Sequence, residues 1–202
     1  MKKFFLLLIA LLLLCVNVYA SSGVQTAMQT LKLNSAEVIE TTDTGNGYYF
    51  TVLTDTGICY VNCTYDGVVL SYVKDVQKEH SPLPFLTKND AKRFAQAFVI
   101  NVAPDILGTI DLSKAEVTYN GIFNVVYYRV HNGIIYSNNY VSLGVDGDTG
   151  EILSYYRECQ KDAVFADFGN LVSPQHIFDL FKKEGQLNLT YNKSVSGSNV
   201  SG

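Results

Sequence analysis

A strand–turn–strand pattern occurs twice in this sequence, and it limits the possible folds more than any other feature. The first copy reads YVNCTYDGVVLSY at residues 60–72, and the second reads YVSLGVDGDTGEILSY at residues 140–155. Four further matches follow the same order at offsets of 79 to 83 residues: 35–38 with 114–117, 48–49 with 127–128, 66–67 with 146–147, and 70–72 with 153–155. Ordered matches of this kind indicate an internal duplication, so we expect one structural unit to be built twice.

Each copy is predicted to be one helix followed by four strands. In the second copy Thr87 is a suitable helix cap, Asp90 suits the positive end of the helix, and Pro104 ends it. Between them apolar residues recur at helical spacing. The predicted strands lie near 114–119, 123–131, 138–146 and 151–158. The first copy has a weaker helix near 24–33 and strands near 36–41, 47–53, 57–64 and 68–75.

Alternation along the strands predicts which face of each sheet carries the helix. Residues Val141, Leu143 and Val145 share one face, whereas the more polar residues between them share the other. Shifting by 80 residues places Val61, Cys63 and Tyr65 on the inner face of the first copy, with Cys59 in line. The predicted class is therefore α+β, with tandem units that each pack one helix on an antiparallel sheet of about four strands.

The duplication and the linker composition predict five segments. We expect a signal peptide at 1–20, a first and diverged unit at 21–79, a proline-containing linker at 80–86, and a second unit at 87–160. A third unit is predicted to begin in residues 161–202, with Ser173 as helix cap and Pro174 in the first helical position. It does not continue into four strands, and its polar end is predicted to be disordered.

The N-terminal residues predict export. Lys2 and Lys3 precede an unbroken apolar run at 4–16, and Ala20 is the small residue that signal peptidase accepts. A retained anchor helix and a lipid-modified Cys15 are the alternatives, although LLLLC lacks the small residues expected before a lipidated cysteine. Cleavage near Ala20 predicts a bacterial protein that is secreted or held in the cell envelope.

The charge of the exported chain argues against two classes of partner. Loss of residues 1–20 leaves 13 basic and 19 acidic side chains, a formal charge near −6. The basic residues are not clustered, so neither nucleic acid nor an anionic membrane surface is an expected partner, and no membrane insertion is expected after removal of the signal.

Three segments resemble a known bacterial family. They are LTKNDAKRFAQAFVINVAPD, YYRVHNGIIYSNNYVSLGVDGDTGEILSYY and SPQHIFDLF, which begin at residues 86, 127 and 173. They are similar to the YcdB/YcdC repeated domain of exported proteins, which is related to the PepSY group. The resemblance covers about 86–191 well and 24–78 as a diverged copy. Tryptophan often ends the last strand of such repeats, whereas this chain has Arg157-Glu158-Cys159 there, and the first unit has only Asp66-Gly67 at its turn.

This resemblance carries its own expectations about function. It implies a small helix-on-sheet module, which in some PepSY proteins is part of a propeptide that binds and restrains a protease. It also implies export and association with the cell envelope. It supplies no established catalytic residues, so none is transferred to this chain.

Possible metal or catalytic sites are weak. Asp146, Asp148 and Gly150 resemble part of a calcium loop, but the strand resumes at Glu151 and a tight turn accounts for the same residues. The histidines, His80, His131 and His176, lack ligand spacing. There is no nucleophile elbow and no phosphate-binding glycine loop. We therefore expect no catalytic residues, no metal and no cofactor, and we expect that the protein is not an enzyme.

The exported chain keeps three cysteines. Cys59 and Cys63 are four residues apart in one predicted strand, which separates their Cα atoms by about 13 Å, too far for a disulfide. Cys159 lies just after the last strand and is expected to be the most exposed. All three are predicted to be free thiols.

Two hypotheses for function remain. The first is an exported, non-catalytic PepSY-like module that binds or restrains an extracellular polypeptide, such as a secreted protease or another cell-envelope protein, through a sheet edge or the outer sheet face. The second is a structural repeat or spacer of a cell-envelope protein without a ligand. The sequence identifies neither the partner nor the oligomeric state, and the chain can be part of a longer protein.

Overall fold

The computed structural model of the chain describes residues 21–76, 82–159, 190–193 and 200–201. These residues form helices α1 (Ser22–Thr30) and α2 (Lys88–Val102) and a short 3-10 helix (Pro104–Ile106). The strands are β1 (Glu37–Asp43), β2 (Gly47–Thr54), β3 (Gly57–Thr64), β4 (Val69–Asp75), β5 (Glu116–Asn120), β6 (Ile122–His131), β7 (Ile134–Asp146), β8 (Ile152–Glu158), β9 (Thr190–Lys193) and β10 (Val200–Ser201). The signal-peptide prediction and the predicted third helix lie outside the described residues.

Helix α2 begins where its capping residues place it. The Thr87 hydroxyl accepts the backbone N–H of Asp90, and the Asp90 carboxylate accepts the backbone N–H of Thr87, which completes a capping box. The helix buries Ala91, Ala95, Val99 and Val102 on one face and ends just before Pro104. Helix α1 is capped by the Ser21 hydroxyl, which accepts the backbone N–H of Val24.

The strands of the two copies join in one antiparallel sheet. Its order is β1-β2-β3-β4-β8-β7-β6-β5, so each copy contributes a four-stranded meander and the copies meet where β4 pairs with β8. The α+β class is confirmed, and each copy has the predicted order of helix and four strands. The expected separate sheet for each unit is not what the structure has, because the last strand of each copy hydrogen-bonds to the last strand of the other.

The junction between the copies has an approximate twofold axis. Ser71 lies opposite Tyr156, Tyr72 opposite Tyr155, and Val73 opposite Ser154. Tyr72 and Tyr155 occupy the same position in the two LSY matches, 83 residues apart, so the duplicated tyrosines pair with each other at the axis. A repeated surface that pairs with itself is isologous, which explains how one duplicated motif joins both halves.

The turns show which residues of the copies are equivalent. Gly67 and Gly150 are also 83 residues apart, and both have positive φ, +87° and +77°. A Cβ at Gly67 would lie 2.5 Å from the Thr26 side chain of α1, and a Cβ at Gly150 would lie 2.5 Å from Phe94 of α2. Glycine therefore allows each turn to approach its own helix closely. This places Gly67 with Gly150, rather than with Gly147 as the sequence offset of 80 implies.

One row of side chains runs under the helices across all eight strands of the main sheet. In order from β1 to β5 the paired residues are Thr41, Phe50, Val61, Tyr72, Tyr155, Leu143, Val125 and Val117. The six central members are buried. Phe98 of α2 packs on both tyrosines of the axis, with ring centroids 6.4 Å from Tyr72 and 5.6 Å from Tyr155. Both copies thus share a single core on one face of the sheet.

The predicted inner faces are largely correct. Val141, Leu143 and Val145 are buried, as are Cys59, Val61 and Cys63 in the first copy. Tyr65 was expected among them but is 46% exposed. It follows β3 and lies at the start of the turn, where the alternation of the strand no longer applies, and its hydroxyl donates to Asp43.

Two short strands come from the segment predicted as a third unit. β9 pairs in parallel with the beginning of β7, where Thr190 lies opposite Ile135, and β10 pairs with β9. β7 extends this far because its hairpin with β6 continues to the Asn132-Gly133 turn, in which both residues have positive φ.

Candidate functional site

The face of the sheet opposite the helices carries large apolar side chains in solvent. Tyr49, Leu53, Val73 and Tyr156 point outward on β2, β4 and β8, and each is 40–46% exposed. Within the described residues both helices contact the other face, through the buried row. We call this surface the outer face. Exposed apolar side chains grouped on one face commonly mark an interaction surface.

The centre of the outer face repeats a three-residue pattern around the twofold axis. It is Val73-Lys74-Asp75 on β4 and Tyr156-Arg157-Glu158 on β8. In both copies the apolar residue and the acid point outward, and the cation between them points inward and is buried. The duplication therefore gives the outer face an apolar centre with an exposed carboxylate on either side.

The two buried cations are neutralised beneath the sheet. The Arg157 guanidinium donates two hydrogen bonds to the Asp105 carboxylate, at 3.0 and 2.8 Å, and its side chain is only 4% exposed. This bonding outweighs the effect of burial and raises the pKa of Arg157. Lys74, which is also buried, donates to Glu151. Because both positive charges face inward, they do not offset the carboxylates on the outer face.

A groove lies on the outer face beside the axis, between the β3–β4 turn and the end of β8. It has a volume of about 430 Å³. We call it the outer-face groove, and its outward lining combines carboxylates, polar groups and apolar side chains: Asn62, Thr64, Asp66, Val68, Leu70, Tyr156 and Glu158. Arg157 and Cys159 also border it.

The tyrosine and the carboxylate at the groove are linked. The Tyr156 hydroxyl donates to Glu158 at 2.9 Å, and this hydrogen bond raises the pKa of Tyr156. On the other wall the Thr64 hydroxyl donates to Asp66. Both carboxylates keep further acceptor capacity, since an ionised carboxylate can accept about four hydrogen bonds.

The free edges of the main sheet are less suitable for adding a partner strand. β1 has a bulge between Val38 and Glu40, and its exposed acids Glu37, Glu40 and Asp43 lie along the edge. β5 at the other edge has only five residues. Bulges, charges and short strands are the usual means by which proteins prevent edge pairing. Of the two surfaces suggested by the sequence, the outer face is therefore the stronger candidate.

The possible calcium loop is a turn. Asp146 is buried and accepts the backbone N–H groups of Asp148 and Thr149, both at 2.8 Å, while Gly150 closes the turn with positive φ. These bonds are those of an Asx turn. Among the residues that the structure describes, no group of three His, Cys, Asp or Glu side chains could hold a metal ion. His131 ends β6, whereas His80 and His176 lie outside the described residues.

The three cysteines of the described chain have unequal access to solvent. Cys59 and Cys63 are buried and Cys159 is half-buried, and none forms a disulfide. Burial raises the pKa of the Cys63 and Cys159 thiols. The Cys159 thiol donates a weak bond of 3.8 Å to the carbonyl oxygen of Tyr140.

We expect Cys159 to be the first cysteine to react with a thiol reagent at neutral pH, and to react more slowly than a free cysteine. Its raised pKa lowers the thiolate fraction, and the thiolate is the reactive form. Cys59 and Cys63 should react only on unfolding. Mass spectrometry of timed labelling on the chain from Ser21 would count these thiols. A single reactive thiol after unfolding without reductant would contradict the expectation, because it requires a disulfide.

None of the helices in the described residues is both long and apolar enough to cross a membrane.

Comparison with known proteins agrees with this architecture. The C-terminal domain of YpeB from Bacillus megaterium has a similar structure, with a TM-score of 0.59, 13% sequence identity, and coverage of 83% of this chain and 76% of that chain. This likeness defines a PepSY-like fold of helices on one face of an antiparallel sheet. The family model of the YcdB, YcdC repeated domain matches residues 54–158, more than half of the chain. The chain therefore belongs to this family. No curated protein matches it.

The matched residues contain the candidate site. They run from the end of β2 to the end of β8, and they include both three-residue patterns and the groove between them. Sequence reasoning pointed to an outer face but not to this groove. The repeated apolar–cation–acid pattern after each LSY motif was the signal that could have identified it.

Proposed function

We propose that this protein is an exported, non-catalytic PepSY-like module that binds an extracellular polypeptide through the outer face of its sheet. The observation that carries the proposal is the exposed apolar group at the centre of that face, above all Val73 and Tyr156. A stable fold does not need these side chains there, because the shared core lies on the other face. Export is supported by the N-terminal basic and apolar residues of the sequence.

A polypeptide fits this surface better than a small molecule. The outer-face groove is open and shallow in form, bounded by strand side chains on a flat sheet, whereas small-molecule sites are usually enclosed and mostly apolar. Exposed tyrosines such as Tyr49 and Tyr156 are typical anchors of protein interfaces, since each combines a large apolar ring with a hydroxyl. A secreted protease is the first class of partner to test, given the propeptide role of some PepSY modules.

A spacer of the cell envelope without a ligand is the second candidate. The duplication supports it, because tandem repeats often build extended scaffolds. In this chain, however, the copies meet through an isologous junction at β4 and β8, and such a junction closes rather than propagates. The spacer hypothesis also leaves the exposed apolar centre of the outer face without a role.

Site-specific photo-cross-linking can test the binding surface. Val73 on the outer face is 46% exposed and Ile100 on α2 is 47% exposed, so the two positions are matched apolar sites on opposite sides of the molecule. We expect p-benzoylphenylalanine at position 73 to give a discrete polypeptide adduct in the producing cells, whereas the same group at position 100 should give little. Equal adducts from both positions, or none from position 73, would contradict the proposal.

The class of partner needs a separate assay. The purified chain would be incubated with individual secreted proteases, and cleavage of an unrelated protein substrate would be followed. A protease partner predicts slowed cleavage by the chain and weaker inhibition by the Tyr156→Ala variant. If cleavage is unchanged for every protease while the position-73 adduct persists, the bound polypeptide is not a protease.

A further inference from the structure

The charges on the outer face are almost all of one sign. Its outward strand positions carry five exposed acids, Glu37, Glu40, Asp75, Glu116 and Glu158. Strands β1 to β8 contain three basic residues, and two of them, Lys74 and Arg157, point inward to carboxylate partners. The third, Arg129, lies near the far end of β6 and is not among the groove residues. The face therefore presents an apolar centre within an acidic surround.

The groove combines this charge with a shape that suits one long side chain. Asp66 and Glu158 lie on its two walls, Leu70 and Tyr156 supply apolar surface, and Asn62 and Thr64 supply polar groups. A lysine or arginine side chain matches such a lining, because its methylene stem packs on apolar surface while its charged end reaches the carboxylates. The ring of Tyr156 can also interact with a cation. Arg157 does not block this role, because both its terminal nitrogens are held by Asp105.

We propose that the outer-face groove receives a lysine or arginine side chain of the partner, so that the partner docks through a basic segment. This inference rests on the proposed function and adds the chemistry of the partner to it. The basic side chain sits between Asp66 and Glu158, and neighbouring residues of the segment pack on the apolar centre formed by Val73 and Tyr156.

The test uses defined peptides on the purified chain. The probe is a blocked twelve-residue peptide with four arginines separated by glycine and serine, and its control has glutamine in place of arginine. We expect the arginine peptide to bind, to shift the amide resonances of Asn62, Asp66 and Glu158 in NMR titrations, and to bind more weakly as salt rises. Lack of binding, or equal binding of the glutamine peptide, would overturn the inference.

Variants separate the groove from the general negative field. Glu158→Gln and Asp66→Asn should each weaken binding of the arginine peptide by about fivefold, the effect of about 1 kcal/mol. Glu37→Gln removes the same charge from the same face at its β1 edge, and it should change binding by less than about twofold. If Glu37→Gln is as harmful as Glu158→Gln, the groove is not the site.

The outcome is distinguishable from failure of the proposed function. If the arginine peptide does not bind but the position-73 adduct forms, the outer face binds a partner that is not basic. If the adduct is also missing, the binding surface itself is wrong.

Discussion

Replacing Tyr155 with alanine is expected to reduce the free energy of unfolding by about 3 to 5 kcal/mol, the usual cost of removing a large buried aromatic side chain. Tyr155 is 1% exposed and pairs with Tyr72 at the junction of the copies, and the Phe98 ring packs on it. The substitution therefore leaves a cavity where the two halves and α2 meet. Urea denaturation of the purified chain would measure the change.

The adjacent residue provides a matched control. Tyr156 is the same residue type on the same strand but points to the outer face, where it is 43% exposed. Tyr156→Ala should change the free energy of unfolding by no more than about 0.5 to 1 kcal/mol. Equal losses for the two variants would mean that both faces of the sheet are packed, which contradicts an open outer face.

Replacing Asp105 with alanine is expected to cost about 3 kcal/mol, because it leaves the Arg157 guanidinium buried without its carboxylate partner. The figure is at the lower end for buried ion pairs, since Asp105 is itself 30% exposed. The pair also joins the 3-10 helix after α2 to the last strand of the sheet. Thermal or urea unfolding would measure the loss.

The double variant tests whether the unpaired charge causes the loss. Arg157→Met removes the guanidinium and keeps an apolar side chain of similar length, so Asp105→Ala combined with Arg157→Met should be more stable than Asp105→Ala alone. If the second substitution instead adds to the loss, the Asp105 carboxylate stabilises the fold through its other contacts and not by neutralising Arg157.

Local features of the fold could be predicted from the sequence because their causes are local. Thr87 and Asp90 are three residues apart and cap α2 as expected, and Asn132-Gly133 forms the predicted hairpin turn. The alternation of Val141 and Leu143 gave the inner face correctly. In each case the residues that determine the structure are neighbours in the chain, so the pattern is visible in a short window.

The joining of the copies could not be predicted in the same way. β4 and β8 are separated by the whole second unit, and any strand edge offers the same backbone groups to a partner. The two inward ion pairs have the same difficulty, since Arg157 and Asp105 are 52 residues apart and Lys74 and Glu151 are 77 apart. A lysine or arginine in a strand is normally read as facing solvent, and only the joined sheet shows that these two are buried.

The same nonlocal pairing creates the candidate site. Asp66 and Glu158 belong to different copies, and they border one groove only because β4 and β8 are neighbours in the sheet. The sequence could therefore predict an outer face for each unit but not a surface shared by both.

Photo-cross-linking from position 73 in the Tyr156→Ala background tests most directly whether one face of the sheet holds the fold together while the other binds the partner. The account predicts that the adduct yield falls at least about tenfold, as expected for loss of an aromatic anchor, while the unfolding transition is unchanged. An undiminished adduct in the Tyr156→Ala chain, or loss of the adduct only together with loss of the folded state, would contradict it.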